Sequence, residues 1–198
     1  MPKIGLSKPY IAFYSNNGTT VTYSGVKTIG RFTELQINVD DSDNDFYSDN
    51  EISESDNQFT SGTAVVTTDD LSEDTMQDAL GMDTEVITGV SGALWNINND
   101  AQERPFLGFG GIVKKKVGGM IYYVAVVLDK IRFRDFSSAF TTQGKTIEWG
   151  TSSLTADIYR SDNARHSWRR YSSPFSTEEQ AELVLKTFLG YTPPATQT

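Results

Sequence analysis

Residues 34–68 read ELQINVDDSDNDFYSDNEISESDNQFTSGTAVVTT, and the parsing of this stretch decides the fold. Leu35, Ile37 and Val39 alternate with Glu34, Gln36, Asn38 and Asp40, the period of two that gives a strand one apolar and one acid-bearing face. From Asp40 to Asp56, eight carboxylates then fall within seventeen residues, and no Lys or Arg answers them. A segment this polar buries nothing by itself. It therefore reads as an acidic loop insert of about residues 40–58, after which FTSGTAVVTT resumes as a second strand.

The flanks are also mostly β. PYIAFYS and VTYSGVKTI surround Asn16-Asn17-Gly18, a turn rich in residues that tolerate positive φ and suited to a two-residue hairpin. Residues 104–136 make a second hairpin turning at Gly118-Gly119. Its return strand is apolar on both faces from Met120 to Leu128, then sets Ile131 and Phe133 against Lys130, Arg132 and Arg134. In GKTIEWGTSSLTADIYR, Ile147 and Trp149 are out of phase with Leu154, Ala156 and Ile158, which predicts a bulge near Gly150. RHSWRRY reads as a last short strand, and residues 82–104 as a loop with a weak strand.

Two helices complete the pattern. Asp70 and Glu73 offer a cap for the first, with Met76, Ala79 and Leu80 facing inward and Gly81 as its stop. Ser176 and Glu179 form a capping box for the second, whose stripe is Ala181, Leu185, Phe188 and Leu189, ended by Gly190. The tail, about 191–198, is expected to fray. Together these predict one α+β domain over residues 1–198, mainly antiparallel β with two short helices packed on the sheet.

Composition narrows the function. A chain of 198 residues buries a sizeable core unaided, and without cysteine it has no disulfide, thiol nucleophile or Cys-based zinc site. Neither a signal-peptide h-region nor a membrane span is evident, so a soluble protein without membrane contact is expected. The net charge is −9, and the interval between Arg31 and Arg104 holds 18 of the 26 acidic residues without one basic residue. That distribution disfavours tight binding of nucleic acid through the acidic part and suits head-to-tail attraction between copies.

Catalytic and metal motifs fail on inspection. Counting a calcium loop from Asp41 puts Phe46 at the turn position and Ile52 at the closing ligand; counting from Asp40 gives Glu51 but weakens the set to Ser42 and Asn44. Paired carboxylates for glycoside hydrolysis need a cleft that the flanks do not predict. GVSG at 89–92 is not a nucleophile elbow, and His166, the lone histidine, has no acidic neighbour in sequence. GFGG at 108–111 precedes a strand instead of a phosphate-binding helix. Arg165, Trp168, Arg169, Arg170 and Tyr171 mix cations with rings as single-strand binders do, and equally form a patch for an acidic partner. No enzyme, cofactor or metal site is expected.

The order of several segments carries a resemblance. IGLSKPYIAFYS (4–15), DFYSDNEISESDNQFTSGTAVVTTDDLSEDTMQDALG (45–81), PFLGFGGIVKKKVGGMIYYVAVVLDKIRF (105–133) and TTQGKTIEWGTSSLTADIY (141–159) together resemble the major tail proteins, or tail-tube proteins, of phages with long non-contractile tails and Gram-positive hosts. The resemblance implies a β-sandwich or partial barrel that assembles as stacked rings, usually hexamers, through which genomic DNA passes without specific binding. It implies a virion protein, assembled in the host cytoplasm, whose partners are other copies of itself and the tape measure, tail terminator and distal tail proteins. Under it, Asp40, Asp41, Asp43, Asp45, Asp49, Glu51, Glu54 and Asp56 become a ring-stacking loop. Lys114, Lys115, Lys116, Lys130, Arg132, Arg134, Arg165, Arg169 and Arg170 become candidate docking cations, and Glu34, Gln36, Asn38 and Asp40 a candidate lumen face. Two alternatives stay open: another virion ring protein on the same scaffold, and a carbohydrate-binding sandwich using Tyr122, Tyr123, Trp149 and Trp168.

Overall fold

The computed structural model describes residues 2–48, 51–69, 71–100, 102–138 and 151–192. The strands are β1 Lys3–Asn16, β2 Val21–Thr28, β3 Phe32–Ser48, β4 Glu51–Thr68, β5 Asp83–Val86, β6 Leu94–Ile97, β7 Leu107–Val117, β8 Met120–Ser138, β9 Ser152–Tyr159 and β10 Arg169–Tyr171. The helices are α1 Glu73–Leu80 and α2 Glu178–Phe188. The main sheet is antiparallel in the order β2-β1-β7-β8-β9-β4-β3, with β10 added on β8; β5 and β6 form a separate hairpin.

This sheet is open, with β2 and β3 at its ends, yet it curls. Ile11 of β1 and Ile29 after β2 share one core with Ala64 and Val66 of β4, against which Leu35 and Ile37 of β3 pack. Phe32 lies edge-on to Phe109 of β7, ring centroids 5.9 Å apart. The inner core is built on Leu107, Phe109, Leu128, Ile131, Phe133, Leu154, Ala156 and Ile158, and α1 adds Ala79 and Leu80 to it. On the opposite face Tyr10, Ala12, Ile112, Ala125 and Val127 lie under Ala181 and Leu185 of α2 and Leu189 at its C-cap. Consecutive residues such as Ile11 and Ala12 thus enter different cores, as strand alternation requires when both faces are covered. Each large side chain so enclosed contributes about 1.5–3 kcal/mol.

The glycines of GFGG serve this packing. A Cβ on Gly108 would meet the Tyr23 ring, one on Gly110 the Leu185 side chain, and one on Gly111 the Phe32 ring. At the other end of the same hairpin, Gly118 and Gly119 take φ of 57° and 87°, the pair of positive values that a two-residue turn demands.

Several expectations change. The acidic stretch is no loop: β3 and β4 stay paired from Asp41↔Phe59 outward to Ser48↔Glu51, because an antiparallel ladder is held by backbone hydrogen bonds and needs no apolar side chain to continue. The first hairpin closes through four residues, 17–20, since Asn16 pairs with Val21 and the Asn17 carboxamide accepts from Thr19 and Thr20 N–H. Ser72 caps α1, not Asp70, which lies outside the described residues, and Thr177, not Ser176, caps α2. Residues 82–104 contain the β5–β6 hairpin. Of the apolar run in β8, Val124–Leu128 is buried on both faces, whereas Met120 and Ile121 sit exposed at the hairpin tip. The bulge near Gly150 and most of the tail fall outside the described residues.

Candidate functional site

The feature with the clearest functional shape is the outer half of the β3–β4 hairpin. β9 accompanies β4 only from Gly62 to Thr68, so beyond it the hairpin continues as a two-stranded ribbon. Nine further residues on β3, at about 3.3 Å each, carry it about 30 Å past the third strand. A register shift between Asp40 and Asp41 marks the point where it leaves the sheet, and such bulges add twist and bend. Its root is fixed by the Phe59 ring, stacked on Trp168 at 4.6 Å, and by the Arg160 guanidinium donating to the Phe59 carbonyl.

Asp40 and Asp41 are exposed at this root, and Asp40 accepts from the Ser61 hydroxyl at 3.3 Å. Asp43, Asp45, Glu51, Glu54 and Asp56 belong to the ribbon strands, their side chains outside the described set, and Asp49 lies outside the described residues. On the inner part of β3 the expected alternation holds. Glu34, Gln36, Asn38 and Asp40 are exposed, while Leu35, Ile37 and Val39 are half-buried.

The docking cations separate into two groups. Lys130 pairs with Asp162 at 2.7 Å, and together with the Tyr14 hydroxyl it holds that carboxyl below the usual carboxylate range. Arg134 pairs with Asp157 at 3.4 Å. Arg170 donates through Nε to both oxygens of the fully buried Asp129, at 2.8 and 3.0 Å, and Ser167 donates to the same carboxylate. Tyr23 sits over the same aspartate, donating to its carbonyl at 2.9 Å; burial, then the Asp129 charge, push its phenol well above the ordinary value. Arg132 stacks its guanidinium 3.8 Å from the Phe106 ring centre. Lys130, Arg134 and Arg170 thus each have a carboxylate partner within the chain. The acids that neutralise them come from other strands and loops, which linear charge patterning does not show.

Lys114, Lys115, Lys116, Arg165 and Arg169 remain at the surface. Lys115 and Arg169 converge on the Tyr171 ring, at 5.9 and 5.1 Å. With Lys3 they rim a groove of about 460 Å³, whose apolar lining includes Leu6, Leu35, Ile37, Val113 and Val126. It lies between two strand edges without partners among the described residues: β1 over Lys3–Lys8, which β2 does not reach, and the outer edge of β3. Glu34, from the candidate lumen face, is part of its wall.

No protein-family model matches the sequence, and a search of curated proteins finds no relative.

The stacking of Trp168 on Phe59 and the pairing of Arg170 remove the central ring and one cation from the single-strand-binding reading of 165–171. His166 is exposed, with φ of 49°. Tyr122 and Tyr123 are half-buried, and Trp149 lies outside the described residues.

Sequence reasoning missed the β5–β6 hairpin. Its tip, VITGVSGALW (86–95), exposes Val86, Val90, Leu94 and Trp95, with Val86 69% and Trp95 60% exposed. Gly89 and Gly92, both at positive φ, close it, and Ile87 N–H donates to the Ala93 carbonyl at 2.9 Å. The spaced glycines between β-branched residues were the available signal. Among the described residues, no helix is long and apolar enough to cross a membrane.

Proposed function

We propose that this chain is a structural subunit that self-assembles into stacked rings, forming a tube of the phage tail-tube kind through which DNA is delivered. The observation that carries the reading is the acidic two-stranded ribbon that outruns its sheet. A two-stranded ribbon alone in water is marginal, and this one carries charge with no cation of its own, so a neighbouring subunit is the natural source of countercharge. The open, curled sheet supports the same reading, because its end strands β2 and β3 each leave an edge to which another copy can be joined. In the tube, Glu34, Gln36, Asn38 and Asp40 line the lumen, where an anionic wall lets a polyanion slide without sticking.

Negative-stain microscopy of the purified protein at rising concentration tests this directly. Tubes are expected, weakened by added salt because exposed charge pairs are screened over about 8–10 Å at physiological ionic strength. Closed single rings would move the chain to another virion ring role, and monomers at every concentration would end the proposal.

A further inference from the structure

We infer that the β5–β6 hairpin is a docking finger that seats in the Lys3–Lys115–Arg169 groove of a second copy. The inference rests on the self-assembly reading and adds the contact that joins one copy to the next. Four large apolar side chains exposed within ten residues are more than scattered surface hydrophobics, and clustering of this kind marks an interaction site. They occupy both faces of the finger. Strand register sets Val86 opposite Leu94 on one face and Glu85 opposite Trp95 on the other, with Asp83 on the Trp95 face.

The groove is complementary in both respects. Its apolar lining, from Leu6 and Ile37 to Val126, lies between strands instead of on a convex surface. Its rim carries the cations Lys3, Lys115 and Arg169 against the single acid Glu34, whereas residues 83–97 hold Asp83 and Glu85 and no cation. None of the residues lining the groove comes from the finger, so each subunit presents both halves of the contact. A finger-to-groove contact is heterologous, and heterologous contacts close into rings or continue as filaments. The acidic ribbon has charge for the same rim but only Phe46, Tyr47 and Ile52 as large apolar residues between 42 and 57. The finger is therefore the better occupant of an apolar groove.

Because the natural chain lacks cysteine, introduced thiols report proximity cleanly. Leu94→Cys combined with Lys115→Cys, treated with a short bis-maleimide, should give a ladder of dimers, trimers and higher species on a denaturing gel. Asp45→Cys combined with Lys115→Cys should give far less. Trp95→Ser should leave the far-UV spectrum and melting temperature unchanged and weaken association about 30-fold, the size of an interface hot spot. Glu85→Lys should weaken it too, with recovery when joined to Lys115→Glu, a rescue that a purely structural role would not produce. If the wild type never associates, the function proposed above and this contact fail together. If tubes form but Trp95→Ser assembles normally, or the Asp45 pair cross-links in place of the Leu94 pair, only the finger contact is overturned.

Discussion

Between Phe32 and Val39, β3 runs beside a β4 that is itself held by β9, and its Leu35 and Ile37 reach the inner core. From Asp41 to Ser48 the same strand pairs with β4, and among the described residues no third strand joins that ladder. One ladder thus passes from a part anchored in the core to a part that continues as a paired ladder beyond it. The inner half explains how the ribbon exists at all: its register is set by three paired strands, and the outer half inherits it. The outer half is where the proposed assembly would act, because no Lys or Arg between Arg31 and Arg104 answers its carboxylates.

The contrast predicts unequal responses to damage. Phe133→Ala, which empties a fully buried site in the inner core, should cost about 3–5 kcal/mol in urea unfolding; a smaller loss would mean that the inner half is not packed as described. Gly110→Val should cost about 1–3 kcal/mol, because the added carbons meet Leu185 on α2 and the Val126 carbonyl. A normal melting curve for this variant would show that α2 does not sit close on the outer face.

Acid provides a milder test of the same helix. Burial pushes the Glu182 carboxyl up, but hydrogen bonds from Lys186, Tyr10 and Lys8 outweigh it and hold the group at about 2. Its folded value lies below the unfolded one of about 4.3. The clamp therefore stabilises fully above that value and is lost as the pH falls from there toward 2. Between pH 5 and 2, wild type should lose more stability than Glu182→Gln. Equal slopes would remove Glu182 from the attachment of α2.

The smallest effect on the subunit is expected where the effect on assembly is largest. Replacing residues 43–57 by Asn-Gly joins Ser42 to Gln58, already paired across the ribbon, through a favourable two-residue turn. Unfolding free energy should change by less than about 0.5 kcal/mol, as for surface changes generally, while tubes disappear from micrographs. A large loss of stability would show that the outer half supports the inner one and would break the comparison; tubes of normal length would remove the ribbon from stacking.

Much of this architecture was legible in the residues. Alternation in β3 separated Leu35 and Ile37 from Glu34, Gln36 and Asn38, and the Gly118-Gly119 turn and the Ala181–Leu185–Leu189 stripe stand where the pattern put them. The site was less legible. Acidity suggested a loop where a ladder continues, because side-chain polarity reports burial and not backbone pairing. Lys130, Arg134 and Arg170 looked free because their acids, Asp162, Asp157 and Asp129, lie 23 to 41 residues away or on paired strands, where only folding brings them into contact.

The sequence by itself determined the strand-rich class, the two helices, the glycine turns and the concentration of acid between Arg31 and Arg104, since each of these is a local pattern of residue type and spacing. Only the tertiary structure decided that the acidic stretch is a ribbon, that Lys130, Arg134 and Arg170 have carboxylate partners within the chain, and that an apolar finger and a cation-rimmed groove occur on one chain. These depend on which distant segments become neighbours when the sheet curls, and periodicity along a chain carries no record of that.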